Sequence, residues 1–275
     1  MNHNIVTADW LKNNLNLENL IILDATLPKV GDKTTVITTE CIPSTLLFDL
    51  TKEFRNLDGQ FPNTVPLKNK FEKNVQQLGI NSGSIIIVYD QHGTYSSPRA
   101  WWLFKLMGHE KVFVLNGGLK AWKTKKFETD ALYNIPTSKG NFKVSYNADL
   151  FSSNSNVLGN INHTDSITID ARSPKRFLAL TEEPRVGLRS GHIPNSKNLH
   201  YSTLTENNCL KTETELTTLF KTFDINDKKV IYSCGSGITA CILALAGSQI
   251  GYNNFSIYDG SWSEWGISME LPIEV

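Results

Sequence analysis

Apolar residues in this chain fall in short unbroken runs, not in alternation. The stretches "IILDA" (21–25), "SIIIVY" (84–89), "KVFVL" (111–115), "ITIDA" (167–171), "KKVIY" (228–232) and "FSIY" (255–258) are rich in aliphatic and β-branched residues. Runs of this length without a polar residue at every second position suit strands covered on both faces. Between them lie stretches of helical spacing, "EFRNLDG…LKNKFEKNVQQLGI" in the first half and "TETELTTLFKTF" in the second, and a stretch rich in Ala and Leu after residue 239. Strands interleaved with helices predict an α/β fold in which a mainly parallel sheet is flanked by helices. Ligands of such sheets bind beyond the carboxyl ends of the strands.

The pattern occurs twice. Sliding "VIYSCGSGITACILALAGSQIGYNNFSIYDGSWSEWG" (230–266) by 143 residues sets Tyr232 on Tyr89, Gly251 on Gly108, Gly260 on Gly117 and Trp265 on Trp122 without a gap. Upstream, "ITIDARSP" mirrors "IILDATLP". Two related halves follow. The polar stretches "YNIPTSKGNF" and "SSNSNVLGN" divide the chain into a first domain over 1–135, a linker over 136–156 and a second domain over 157–275.

Composition narrows the function. The 275 residues carry 27 Lys+Arg against 27 Asp+Glu, and no basic run marks a nucleic-acid or membrane surface. There is no basic-then-apolar leader at the N-terminus and no run of 18 apolar residues, so a cytoplasmic protein is expected. The four cysteines (41, 209, 234 and 241) form no C-x-x-C pair, and no metal-site, P-loop or serine-elbow motif occurs. Neither a metal nor another cofactor is expected, and free thiols fit a reducing compartment.

One cysteine stands apart. Cys234 closes an apolar run and precedes "GSGITA", where the Ala/Leu-rich helix begins. Gly235 and Gly237 let the backbone curl, and curled successive amides can form an anion nest. A helix N-terminus adds up to about 2 kcal/mol of stabilisation for an anion. Together these predict a thiolate with a lowered pKa. The first half has Gln91, His92 and Gly93 at the positions of Cys234, Gly235 and Ser236, so the thiol belongs to one half only. A cysteine phosphatase would need Arg six residues after the cysteine to clamp phosphate, and Ala240 stands there. A small neutral loop suits a sulfur atom held as a persulfide.

The residues of this loop resemble a known family. "CGSGITA" is similar to the C-G-S-G-V-T-A loop of 3-mercaptopyruvate sulfurtransferases, two-domain members of the rhodanese-like family. "RSGHIPNSKNL" (189–199), "IYDGSWSEW" (257–265) and "YSSPRAWWLFKLMGH" extend the resemblance along nearly the whole chain. It implies two tandem rhodanese-like domains, with the second catalytic. It implies Cys234 as nucleophile, Ser236 as an assisting hydroxyl, and Arg176 and Arg185 binding the donor's carboxylate and keto group. It adds Gly235, Gly237, Ile238 and Thr239 as the substrate-binding loop. The donor would be 3-mercaptopyruvate, or thiosulfate, and the acceptor a thiol such as thioredoxin, or cyanide. Thiosulfate is a dianion and would prefer more cationic residues than Gly235 and Ser236. Two departures stand out: Thr51 occupies the position of the family's relay acid and Asn63 lies near that of its relay histidine, leaving Asp49 as a substitute acid or the loop alone to activate the cysteine. Cys41 stands where a G-H-I-P histidine would, matching His192 of the second half as a structural position; Cys241, Asp259, Trp262 and Trp265 read as core and turn residues.

Overall fold

A computed structural model describes residues 4–29 and 40–275. The chain divides into two compact units. The first comprises residues up to 57 together with 65–147 and 207–210; the second comprises 58–64, 148–206 and 211–275. A short piece of each half thus belongs with the other unit.

The first unit runs β1 (Ile5–Val6), α1 (Ala8–Asn14), β2 (Leu20–Asp24), β3 (Thr45–Leu47), α2 (Lys68–Gln77), β4 (Ile85–Tyr89), α3 (Ser97–Leu106), β5 (Val112–Leu115) and α4 (Gly118–Thr124). Its sheet has the order β1-β5-β4-β2-β3, and every neighbouring pair is parallel. The second unit repeats it with β6 (Phe151–Ser152), α5 (Asn154–Asn160), β7 (Ser166–Asp170), α6 (Pro174–Phe177), β8 (Lys197–Asn198), the short β9 (Thr205–Glu206), α7 (Glu213–Phe220), β11 (Lys229–Ser233), α8 (Ala240–Gln249), β12 (Phe255–Tyr258) and α9 (Ser261–Trp265). The short β10 (Cys209–Leu210) lies with the first unit. The second sheet has the order β6-β12-β11-β7-β8, again parallel throughout. The expected α/β architecture, doubled, is what the chain adopts.

Local chemistry explains several boundaries. Thr212 and Glu215 form a reciprocal capping box that opens α7. Thr7 caps α1 by accepting from the Trp10 amide. The helical stretch read from Glu53 onward is helical only over Lys68–Gln77. Residues near Glu53 form turns instead, because Asp49 accepts the Thr51 and Lys52 amides and Pro62 and Pro66 interrupt the chain before α2.

The helices that follow the central strands are apolar on nearly every face. In α3, Trp101, Trp102, Leu103 and Phe104 are all buried, and in α8 every residue from Ala240 to Gly247 is buried. Fully burying a Leu or Ile contributes about 1.5–3 kcal/mol, which outweighs the roughly 1 kcal/mol that Gly247 costs a helix interior. Gly247 is there because a Cβ would lie 2.7 Å from the buried Tyr232 hydroxyl. The absence of a side chain lets α8 lie close against β11, which carries Cys234 at its carboxyl end.

Cys41 and His192 occupy matching places, as read from the G-H-I-P alignment. Cys41 exchanges both backbone hydrogen bonds with Asp130, and His192 does so with Glu274. The His192 Nδ1 also lies 2.9 Å from the Phe177 carbonyl oxygen, and its ring stacks on Phe177. Both are structural.

Candidate active site

Cys234 follows the last residue of β11, and Ala240 begins α8, so the loop 234–239 lies between a strand's carboxyl end and a helix N-terminus. Only Gly237 in it has a left-handed backbone, with φ +77°. Gly235 does not; its lack of a side chain serves close approach instead. A Cβ there would lie 3.2 Å from Arg176 Nη2 and 3.7 Å from Arg185 Nη1. Both arginines expected from the sequence are therefore brought to the loop.

The loop amides carry the main feature. Among the described residues, no group accepts a hydrogen bond from the N–H of Gly235, Ser236, Ile238 or Thr239. Ser236 and Ile238 are buried, and Gly235 and Thr239 are half-buried. Thr239 stands at the N-cap of α8 without a side-chain cap bond. Buried or half-buried amides without acceptors are uncommon in folded proteins. N–H groups so placed at a helix N-terminus suit an anion.

The first unit shows the filled counterpart. The buried Asp90 precedes Gln91, the residue aligned with Cys234. Its Oδ2 accepts from the amides of Tyr95, Ser96 and Ser97 at 2.9, 3.0 and 2.9 Å and from the Ser97 hydroxyl at 2.7 Å, while Oδ1 accepts from the His92 amide at 2.9 Å. Position 233, aligned with Asp90, is Ser233, whose buried hydroxyl has no partner. The first unit carries its own anion; the second has an uncharged serine at that position. The two loops bend at different residues, with positive φ at Gly93 in one and Gly237 in the other, yet α3 and α8 begin in register.

Cys234 lies at the base of this arrangement, with 1% of its surface exposed. Its amide donates to Ser261 Oγ at 3.2 Å, and that hydroxyl lies 3.9 Å from Cys234 Sγ. Ser261 holds a left-handed backbone, φ 49°, where the first unit has Gly118 at φ 54°. A serine in that conformation is strained, and here its hydroxyl touches the thiol. Its neighbours brace the loop: Trp262 N–H donates to the Cys234 carbonyl at 2.9 Å, and Ser263 donates to the Gly235 carbonyl through both its amide and its hydroxyl. In the sequence Ser261 falls in the closing segment 257–265, and its one signal there is the 143-residue register, which sets it on Gly118.

Ser236, expected to assist the cysteine, makes no hydrogen bond to Cys234 among the described residues. Its hydroxyl oxygen accepts from Arg185 Nη2 at 3.2 Å and from Asn63 Nδ2 at 3.0 Å. Asn63 belongs to the 58–64 segment of the second unit. The carboxylate of Asp49, the substitute acid considered for the relay, is committed to its own turn, accepting from the amides of Thr51 and Lys52.

Arg176 is set by a network of four charges. Glu183 accepts from Arg176 Nε at 3.1 Å and Nη2 at 2.5 Å, and from Arg172 Nη1 at 2.9 Å. Arg172 in turn clasps Asp170 at 2.8 and 2.7 Å and lies 4.1 Å over the Trp262 ring. Burial alone would depress Arg172, but Asp170 and Glu183 hold its pKa above the usual arginine value. Nearby, burial and the Arg176 charge push the His200 imidazole below its ordinary value. No cluster of metal-ligating side chains occurs among the described residues, and no helix of theirs is long and apolar enough to cross a membrane.

Comparisons with known proteins place the chain in a family. The rhodanese-like domain model matches residues 7–125 and 153–268. A 3-mercaptopyruvate sulfurtransferase of Escherichia coli K12 is 34% identical over 277 residues, covering 98% of this chain and 97% of that protein. The mitochondrial thiosulfate/3-mercaptopyruvate sulfurtransferase 1 of Arabidopsis thaliana is 35% identical over 98% of this chain and 78% of its own length. A crystal structure of a 3-mercaptopyruvate sulfotransferase from Escherichia coli superimposes with a TM-score of 0.85 at 31% identity, covering 94% of this chain and 99% of the other. The chain therefore belongs to the rhodanese-like family, with two copies of its domain in tandem.

Proposed function

We propose that this sulfurtransferase takes the thiol sulfur of 3-mercaptopyruvate and passes it, as the sulfane sulfur of a persulfide on Cys234, to a thiol acceptor of the thioredoxin type or to cyanide. The observation that carries the reading is the set of acceptor-free loop amides beside Cys234, matched in the first unit by amides that Asp90 fills. The Cys234 thiolate attacks the donor sulfur. The donor's C–S bond breaks with its electron pair going to carbon, and pyruvate leaves as its enolate and takes up a proton. The persulfide loses its proton and lies among the amides of the loop, which stabilise the outer sulfur anion. A thiolate acceptor then attacks that sulfur and restores Cys234. Arg176 and Arg185 orient the donor through its carboxylate and keto oxygen, for which the guanidinium fork is suited. Burial of Cys234 shields the persulfide from bulky reagents and bulk water. The four unpaired cysteines suit a reducing cytoplasm.

Relatives bearing both donor names make thiosulfate the alternative donor. A persulfide carrier with low turnover is a second reading, favoured by one observation: the Ser236 hydroxyl is held by Arg185 and Asn63, neither of which can take up a proton near neutral pH. The deciding assay measures pyruvate from 3-mercaptopyruvate and sulfite from thiosulfate, with a thiol acceptor, for the wild type and Cys234→Ser. Pyruvate release that Cys234→Ser abolishes is expected. A gain of one sulfur on Cys234 with negligible turnover would favour the carrier, and an active Cys234→Ser would overturn the mechanism.

A further inference from the structure

The donor side of the site holds an unequal pair of arginines. Arg176 faces a carboxylate with two of its nitrogens, and that carboxylate, Glu183, has 1% of its side chain exposed. A pair so placed is screened little by water or salt. Arg172 is likewise closed by Asp170 and Glu183, with its own side chain fully buried. The two guanidinium groups and two carboxylates of this network sum to zero charge. Arg185 is different. Among the described residues it has no carboxylate partner, and its hydrogen bond goes to the neutral Ser236 hydroxyl. Both Arg176 and Arg185 nevertheless lie within 4 Å of a Cβ built on Gly235, beside the cysteine loop.

Taking the sulfur-donor site as proposed above, we infer that Glu183 sets the donor preference: by holding Arg176 it leaves Arg185 as one uncompensated cation and so favours a singly charged donor, such as 3-mercaptopyruvate, over the doubly charged thiosulfate. Arg176 spends its Nε–Nη2 fork on Glu183 and keeps the N–H groups of Nη1 to orient the donor, while most of its charge is cancelled. A second negative charge on the donor then meets Glu183 without a free cation to offset it. Glu183 acts through Arg176 and is a positioning residue.

The test is Glu183→Gln, assayed with both donors and cyanide as acceptor. Removing one charge near the donor is expected to raise kcat/KM for thiosulfate relative to 3-mercaptopyruvate by about tenfold, chiefly through a lower KM for thiosulfate, with the gain shrinking as salt is added. Glu183→Asp, which keeps the charge, is expected to retain the wild-type ratio. A parallel loss with both donors at every salt concentration is the signature of a merely structural role and overturns the inference. Should Glu183→Gln not fold, inhibition of the wild type by sulfate and by methanesulfonate decides. Two tetrahedral anions differing in charge are expected to bind within about threefold of each other at low salt, and sulfate binding more than about tenfold tighter overturns the inference. A wild type that draws sulfur from neither donor overturns the sulfur-transfer reading itself; an active wild type with an unchanged ratio in Glu183→Gln overturns only the role of Glu183.

Discussion

Ser233→Asp should convert the catalytic loop into a copy of the silent one. In the first unit Asp90 engages four backbone amides and a hydroxyl through its two oxygens, at 2.7 to 3.0 Å. The aligned Ser233 has a buried hydroxyl without a partner, so the new carboxylate enters a place that holds no competing bond. Hydrogen bonds to a charged group contribute about 1.5–3 kcal/mol each. If the carboxylate diverts two of the amides that would hold the persulfide, the reaction loses roughly 3–6 kcal/mol, or a factor of about 10²–10⁴ in rate. The carboxylate also opposes ionisation of the adjacent Cys234. The assay is kcat/KM for pyruvate release, with circular dichroism as the check on folding. Ser233→Asn, of the same shape and uncharged, serves as control and should lose less than about tenfold. A folded Ser233→Asp that keeps more than about a third of wild-type activity would refute the view that acceptor-free amides are what the loop contributes.

Other expectations follow from burial. Burial and the charges of Asp130 and Asp24 push the Cys41 thiol up to about 11, so native protein treated with iodoacetamide at neutral pH should show no label on Cys41 by peptide mass spectrometry, and prompt labelling would contradict its placement. Burial also raises the Asp24 carboxyl above its usual 3.8, so the stability it contributes is complete below that value and is lost as pH rises through its folded pKa. Asp24→Asn should accordingly be more stable than wild type to urea at neutral pH, with the difference shrinking below pH 4; a difference that grows on acidification would reverse the sign argued here. Gly247→Ala gains about 1 kcal/mol of helix propensity but meets the Tyr232 hydroxyl at 2.7 Å, and overpacking of about 1–3 kcal/mol should leave it less stable in urea titration; a stabilised variant would show that α8 has room to move.

Much of this was legible in the residues. Unbroken β-branched runs marked both parallel sheets, because strands covered on both faces need no polar alternation. The ungapped 143-residue register found the repeat and placed Cys234 against Gln91. The resemblance of "RFLALTEEPR" (176–185) to the family's substrate segment led to Arg176 and Arg185. What escaped were contacts across long sequence separations. Nothing near Asn63 announces that it will meet Ser236, 173 residues away. The hydroxyl at the thiol belongs to Ser261, 27 residues downstream, and not to Ser236 within the motif. Glu182 and Glu183 look alike in sequence, yet Glu182 is exposed while the Glu183 side chain lies inside the fold, because two arginines converge there. The helix read from Glu53 failed where Asp49 offered the backbone an alternative set of bonds.

The carboxylate of Asp90 also constrains how such a chain can evolve. Gln91→Cys alone would set a thiol beside a buried negative charge whose amides are already taken, and that thiol would stay protonated. Asp90→Ser alone would strip the partner from four amides and a hydroxyl at roughly 1–3 kcal/mol each, a cost that the second unit bears at its aligned loop and that yields no thiol in return. Each single step toward a double-headed enzyme therefore costs stability or yields an inert thiol, and the division of labour between the duplicated halves behaves as a ratchet.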